Sequence, residues 1–186
     1  MTHRGKTRAW GSVAILFYAV HGAYHWQQGA PENMLWTCHL GALLVGLGLL
    51  LHSANLNGTG FLWLSVGTCM WLFGLAVDVP FLPTSMLTHV GGLAIGLWGV
   101  RRLGLPAGVA WKALAGLALL HLISRGLNPP GRNINMAREI ASGLESWFPS
   151  HAMFLLAIGA LCAVTFVLLE TALRRAFPFS GEKSDR

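Results

Sequence analysis

The sequence predicts an all-α fold, a polytopic membrane bundle of about six transmembrane helices. Hydrophobic residues make up 54% of the 186 residues and charged residues 11%, whereas soluble domains contain about 25% charged residues. Apolar stretches of about 15 to 23 residues recur along the chain, with short polar breaks between them. We therefore expect one integral membrane domain that covers residues 1–186.

The expected spans are residues 10–26, 35–51, 61–79, 85–100, 109–123 and 151–173. The fourth and fifth are close to the lower length limit for a spanning helix. The basic start and apolar run of the N-terminus are typical of a signal peptide, but the run continues into His21 and Trp26 without a small-residue cleavage site. We therefore expect a retained first helix.

Lysine and arginine positions set the expected orientation, because cytoplasmic segments carry an excess of them. Both termini are then cytoplasmic, and the plasma (bacterial inner) membrane is the expected location. Because these basic residues lie at the ends of apolar segments, the net charge of +6 does not indicate a nucleic-acid partner. Cytoplasmic basic residues are Arg4, Lys6, Arg8, Arg101, Arg102, Lys112, Arg174, Arg175, Lys183 and Arg186, and outer ones are Arg125, Arg132 and Arg138.

The outer loop, residues 125–150, is the one long connection. Its Asn-Pro-Pro-Gly sequence at 128–131 ends the fifth helix. Apolar residues then recur at spacings of three or four, which predicts an amphipathic helix that lies in the membrane interface before the last span. These residues are Met136, Ile140, Leu144 and Trp147.

Titratable side chains collect at the outer end of the predicted helices. His3 and His52 are the histidines on the cytoplasmic side. Ionisable groups in or near a bilayer are costly and usually line the bundle interior or a wet cavity, so the sequence predicts a polar site in the outer half of the bundle. The outer group contains His21, His25, Cys38, His39, Asp78, His89, His121 and His151.

Metal binding is one chemistry that this group allows. His21 and His25 are separated by four residues and share a helix face, so both can chelate one ion. Zn, Fe, Cu or haem are the expected cofactors in this case. The remaining ligands would come from His39, His121, His151 or Asp78.

Two other chemistries compete with metal binding. Cys38 follows a helix start at residues 31–33, where the positive end of the helix favours a thiolate nucleophile, with a histidine from another helix as base. The plain alternative is that Cys38 is a small buried apolar residue. Transport through a His and Asp proton relay is the third reading, although the polar residues do not continue to the cytoplasmic side.

Four short motifs give the chain a family resemblance. The sequence LWTCHLGALL at 35–44 resembles the second-helix signature of the YwaF-like family of multipass membrane proteins, with His39 where that family has aspartate. LSVGT at 64–68 with Asp78-Val79-Pro80, LTHVGG at 87–92 and NINM at 133–136 are similar to later motifs of that family, in the same order.

The resemblance implies acyl chemistry on lipids. Animal relatives of the family are associated with acyl transfer between phospholipids through a cysteine and a histidine, and a more distant group hydrolyses lipid esters. Carried over, this implies Cys38 as nucleophile and His89 as base, with Asp78 orienting His89. Asn133 or Asn135 would donate hydrogen bonds to the oxyanion.

The sequence thus predicts an acyltransferase or lipid hydrolase that needs no cofactor and has membrane lipids as partners. Arg132 and Arg138 are placed to meet a headgroup phosphate, or to anchor the loop at the membrane surface. A metal- or haem-binding membrane protein, either redox or metal-dependent, is the main alternative, and a small transporter the second. No particular oligomeric state is predicted.

Overall fold

A computed structural model describes residues 3–77, 80–129 and 131–179, and this part of the chain is all α-helical with no β-strand. The predicted all-α class is therefore confirmed, and each of the six predicted spans contains helix. A π-helical turn, Leu87–Gly91, joins α4 to α5 without a break. The helices are α1 His3–Gln27, α2 Thr37–Leu50, α3 Ala54–Ala76, α4 Pro83–Met86, α5 Gly92–Leu103, α6 Val109–Leu127 and α7 His151–Ala176.

Helix α3 begins at Ala54, seven residues before the predicted start at 61. Ser53 caps it, because its Oγ accepts a hydrogen bond from a backbone amide of the first turn at 3.3 Å. Asn57 is buried, and its Nδ2 donates to the carbonyl of Gly96 at 3.1 Å. The polar residues that indicated a loop in the sequence are therefore absorbed by capping and by contacts between helices.

Glycines bring α1, α2 and α3 into backbone contact. A Cβ on Gly46 would lie 2.6 Å from the side chain of Ile15 and 2.9 Å from the carbonyl of Gly11. A Cβ on Gly60 would lie 2.5 Å from the carbonyl of Gly41. Because small residues let helix backbones approach closely, the last turns of α1 lie beside the first turns of α2.

Helix α7 is anchored near both of its ends. Its Glu170 carboxylate accepts hydrogen bonds from the backbone amides of Gly108 at 2.8 Å and Ala110 at 2.6 Å, which caps the start of α6. At the opposite end, Nε2 of His151 donates to the carbonyl of Met136 at 3.0 Å. The middle of α7 is left to contacts with α3 and α6.

The core consists of two apolar clusters. One lies where α1, α2 and α5 meet, and it contains Ala14, Ala42, Val45, Leu49 and Ile95. The other lies where α3, α5, α6 and α7 meet, and Trp63 links two of these helices because its Nε1 donates to the carbonyl of Ala113 at 2.9 Å. Its other members include Phe61, Leu62, Val100, Val109, Cys162 and Phe166.

The prediction of an amphipathic helix in the outer loop is wrong. Between residues 131 and 150 the chain forms two single 3-10 turns, Ile134–Met136 and Glu145–Trp147, and no α-helix. The side chain of Asn133 explains part of this, because its Oδ1 accepts hydrogen bonds from the backbone amides of residues 138 and 139, both at 3.1 Å. Such local bonds compete with helix formation.

Two helices, α3 and α7, are long and apolar enough to cross a membrane. In α7 the most apolar 18 residues are only 17% buried within the protein. Large apolar side chains are exposed on this helix and on α1 and α6. They include Leu16, Val20, Leu119, Leu122, Leu156, Leu161, Val164 and Leu168.

Candidate metal centre

Three of the predicted histidines meet at one point. His21 and His25 lie one turn apart on the last turns of α1, and His39 lies in the first turn of α2. Nε2 of His21 is 3.1 Å from Nε2 of His39 and 3.2 Å from Nε2 of His25. All three side chains are buried. The close approach of α1 and α2 therefore produces a cluster of three imidazole nitrogens.

The other ring nitrogen of each histidine has a polar partner. Nδ1 of His39 donates to the backbone carbonyl of Asn33 at 2.8 Å. Nδ1 of His25 lies 3.2 Å from Nδ2 of Asn33, and Nδ1 of His21 lies 2.9 Å from Oγ1 of Thr84. Outer partners of this kind fix the orientation of metal-binding imidazoles, and here they turn three Nε2 atoms inward.

The proton positions of the three rings depend on the side-chain amide of Asn33. Nδ1 of His39 holds a proton against a carbonyl, so Nε2 of its neutral ring is a lone pair. With the Asn33 amide nitrogen donating to His25, Nε2 of His25 carries a proton, and Nε2 of a neutral His21 cannot satisfy both neighbours. With the amide rotated so that Oδ1 accepts from Nδ1 of His25, Nε2 of His21 can donate to both neighbouring lone pairs, or all three lone pairs can face a cation.

Two of the three nitrogen–nitrogen separations fit one metal ion, and the third is within 4.8 Å. Three nitrogens at about 2.0–2.1 Å from a tetrahedral ion are separated by about 3.3–3.4 Å, close to the observed separations of 3.1 and 3.2 Å. For all three lone pairs to face an ion, Asn33 rotates its amide so that Oδ1 accepts from Nδ1 of His25. Haem fits less well, because axial nitrogens on opposite sides of iron are about 4 Å apart, twice the metal–nitrogen bond.

A second group of possible ligands adjoins the first. The ligand atoms of Cys38, His39 and His89 lie within 4.8 Å of one another, and all three residues are buried. Cys38 packs tightly against α3, since a Cβ added to Gly67 would lie 2.5 Å from the Cβ of Cys38. His39 belongs to both groups, and its single Nε2 lone pair serves one ion. The two groups are therefore alternative ligand sets around His39.

His89 is held in place by the π-helical turn. Its Nδ1 donates to the carbonyl of Ser85 at 2.9 Å, which leaves Nε2 as a lone pair in the neutral ring. The indole of Trp71 stacks on the imidazole with ring centroids 4.8 Å apart and an interplanar angle of 13°. Single π-helical turns often occur at functional sites, and this one presents a fixed, unprotonated imidazole nitrogen beside the cluster.

The cluster lies at one end of a cavity of about 920 Å³. Around the polar end are His21, His25, Cys38, His39 and His89, with Arg132 and His121 nearby. The rest of the cavity extends between α3, α6 and α7 and is mostly apolar. Its walls there include Trp63, Val66, Met70, Phe73, Leu114, Leu117, Leu122, Leu155, Ile158, Cys162 and Phe166.

Two histidines proposed as ligands lie apart from the cluster. Among the described residues, neither His121 nor His151 belongs to a group of converging ligand atoms. His121 lines the cavity, and His151 bonds to the outer loop. Asp78, the proposed orienting carboxylate, lies outside the described residues. Among the described residues, the carbonyl of Ser85 accepts a hydrogen bond from Nδ1 of His89.

The two asparagines proposed as oxyanion donors have structural partners. Nδ2 of Asn135 donates to the carbonyl of Leu35 and to Oγ of Ser124, both at 2.8 Å, and its Oδ1 accepts from the backbone and hydroxyl of Thr37. Asn133 donates to a carbonyl within the loop at 3.0 Å. A role for Asn135 as oxyanion donor would require it to release one of these bonds.

The two loop arginines differ in their contacts. Nε of Arg132 forms an ion pair with Glu32 at 2.9 Å, and the residue lines the cavity. Nη2 of Arg138 donates to the carbonyls of Arg125 and Asn128, at 2.7 and 3.2 Å, and ties the loop to the end of α6. Arg132 is therefore the better placed of the two to meet a ligand.

Sequence reasoning missed the outer partners of the cluster. Asn33 contacts both His25 and His39, and Thr84 contacts His21. The position of Asn33 in the short connection between two histidine-bearing helices was the available signal. Thr84 had no comparable signal, since its approach to α1 depends on the packing of the helices.

Comparison of the chain with protein-family models, curated proteins and solved structures finds no match. The resemblance to the YwaF-like family therefore stays an expectation.

Two buried asparagines provide a test of whether Asn135 anchors the outer loop to the bundle. We expect Asn135→Gly to destabilise the protein by about 1–3 kcal/mol, because it leaves buried groups such as the Leu35 carbonyl without a partner, while glycine suits the left-handed φ of 54°. Asn128→Gly is the control, since neither side-chain amide atom of Asn128 has a partner among the described residues, and it should cost clearly less. Denaturant unfolding in detergent measures both. Equal losses would contradict the anchoring role of Asn135.

Proposed function

We propose that this protein is an integral membrane metalloenzyme that hydrolyses its substrate with water activated by a single ion. His21, His25 and His39 hold the ion. The observation that carries the proposal is the convergence of their three Nε2 atoms at separations of 3.1 and 3.2 Å, with an outer polar partner on every Nδ1. This is the metal-binding alternative of the sequence analysis, and it takes precedence over acyl transfer because of that geometry.

A six-span bundle with cytoplasmic termini belongs to the proposal. It is supported by the apolar, exposed outer face of α7, which would be unfavourable in water. The lengths of α1, of α6 and of the continuous helical segment formed by α4, the π-helical turn and α5 also suit six spans. Helix α2 has 14 residues and spans about 21 Å, less than the hydrocarbon core. The 3-10 helix Pro31–Leu35 extends it toward the outer surface.

Zinc is the ion that the ligand set favours. Three neutral imidazoles suit Zn, Cu, Fe and Ni, and three histidines with an open fourth position are a ligand set of catalytic zinc. When bound, such an ion polarises a substrate carbonyl or phosphoryl oxygen and makes hydroxide available near neutral pH. His21, His25 and His39 all line the cavity, so an ion that they held would be accessible to a substrate there.

His89 is the proposed general base. It lines the cavity beside the cluster, and its Nδ1–H is held by the carbonyl of Ser85. Its Nε2 is therefore free to accept a proton from the attacking water and to return it to the leaving group. Stacking on Trp71 fixes the plane of the ring.

Metal content tests the proposed centre. We expect purified protein, stripped with chelator and reloaded, to bind one zinc ion per chain, and His39→Ala to lose it because a ligand is removed. His121→Ala is the control, since His121 lines the same cavity but lies outside the cluster; it should keep one ion. Elemental analysis after gel filtration measures the content. A zinc-free wild type, or equal zinc in both variants, would contradict the proposal.

Acyl transfer is the second candidate, because Cys38 and His89 lie together at the cavity. In this scheme His89 takes the thiol proton, Sγ of Cys38 bonds to the ester carbonyl carbon, and the alcohol leaves with that proton. Water or a lyso-lipid then gives its proton to His89 and takes the acyl group from the thioester.

A distinct result is expected for acyl transfer. Incubation with a radiolabelled lipid ester would leave a hydroxylamine-sensitive label on wild-type protein and none on Cys38→Ala, because the acyl group would reside on that sulfur. Cys69→Ala, at an exposed cysteine, is the control. Because we propose metal-dependent hydrolysis, we expect no label on wild-type protein, on Cys38→Ala or on Cys69→Ala. Label that disappears with Cys38 would favour the acyl scheme over metal-dependent hydrolysis.

A further inference from the structure

The cavity is polar at one end and apolar along the rest of its length, which suits an amphiphilic ligand. At one end are the buried imidazoles, and from there an apolar cleft continues between α3, α6 and α7. Along α7 its wall extends from Phe154 to Phe166, twelve residues, or about 18 Å. A small polar substrate would leave this length unfilled.

The structure explains why the cleft stays open. Glu170 fixes one end of α7 to α6, and His151 fixes the other end to the loop. Between these anchors, Gly159 lines the cavity, and a Cβ on it would meet nothing within 4 Å. Gly159 therefore leaves space beside α7 at mid-length, next to the packed cluster that Cys162 and Phe166 form with residues of α3 and α6.

The charge of the polar end indicates the head of the ligand. No aspartate or glutamate is found among the described residues that line the cavity, whereas Arg132 is among them. Glu32 offsets the charge of Arg132. The described lining would leave the charge of a divalent ion on three neutral imidazoles uncompensated, and a desolvated charge of that kind favours an anionic partner.

The geometry points to a long-chain phosphate ester, an anionic amphiphile, as the substrate class, with its phosphate head at the histidine cluster and one hydrocarbon chain in the α3–α6–α7 cleft. This inference rests on the proposed metal centre for the head and on the cleft alone for the chain. Because lipid tails are as apolar as the cleft, the chain determines selectivity for length and the position of the head. The head would bring its P–O ester bond beside the cluster, where water supplies the hydroxyl group and His89 returns the proton to the leaving alcohol.

A binding experiment separates head from chain. Zinc-loaded protein in nanodiscs of zwitterionic lipid is titrated with dodecyl phosphate, dodecanol, hexyl phosphate and inorganic phosphate, and the fluorescence of Trp63 and Trp71, which line the cavity, reports binding. Saturable binding of dodecyl phosphate is expected. Dodecanol, which lacks the charge, and hexyl phosphate, which lacks the length, should each bind at least tenfold more weakly.

Two glycine variants localise the chain. Gly159→Phe adds an aromatic ring at the wall of the cleft, where a Cβ meets nothing within 4 Å among the described residues, and should weaken binding of dodecyl phosphate at least tenfold. Gly126→Phe is the matched control, since a Cβ there also meets nothing within 4 Å and the residue does not line the cavity; it should bind as wild type does. Both should keep one zinc ion. Helicity by circular dichroism confirms that both are folded.

Each outcome has a defined meaning. Binding that Gly159→Phe leaves unchanged overturns the cleft as the site of the chain, as does inorganic phosphate competing as well as dodecyl phosphate. Equal binding of dodecanol and dodecyl phosphate overturns the anionic head. A wild type that holds no zinc contradicts the metal centre instead, and the comparison of the two glycine variants then still decides whether the cleft holds the chain.

Discussion

The contact among three buried imidazole nitrogens is the constraint on which the rest of the site depends. Nε2 of His21 lies 3.1 and 3.2 Å from its two neighbours. In a low-dielectric interior, nitrogen atoms this close need a shared proton or a cation between them. Both separations are close to the edge of a tetrahedral zinc site, about 3.3–3.4 Å. The metal proposal rests on these separations and on the outer polar partner of each ring.

Packing elsewhere in the bundle holds these rings in position. The glycine contacts between α1 and α2 place His39 beside His21 and His25, and Asn33 in the connection fixes two of the three rings. The loop covers this end of the cavity, because Asn135 bonds to the start of α2 and to α6. The histidine cluster, the cavity and the loop that covers it therefore meet at the first turn of α2.

Much of the fold was predictable from the sequence, because long apolar stretches between polar breaks require helices. The gathering of His21, His25 and His39 was also predictable, since depth along each helix places them at one end. What failed was the outer loop. Its apolar residues recur at helical spacing, but positive φ at Asn135 and Met136, 54° and 53°, and the contacts of Asn135 with distant helices set its path. Periodicity contains no information about such tertiary bonds.

The choice among the candidate ligands was likewise beyond the sequence. His121 and His151 share the predicted depth of the cluster, yet His121 lines the cavity away from the cluster and His151 bonds to the loop. Which helix faces a given histidine depends on the rotation of α6 and α7 about their axes, and the apolar faces of these helices do not specify it. The value of Asn33 and Ser85 as partners of ring nitrogens depends in the same way on the finished packing.

X-ray absorption at the zinc edge of the loaded protein determines which side chains hold the ion. The two overlapping ligand sets differ in one atom type, since the first contains nitrogen ligands and the second contains the sulfur of Cys38. The account predicts a shell of light atoms at about 2.0–2.1 Å with the multiple-scattering pattern of three imidazoles. A sulfur scatterer at about 2.3 Å would contradict it and assign the ion to Cys38, His39 and His89.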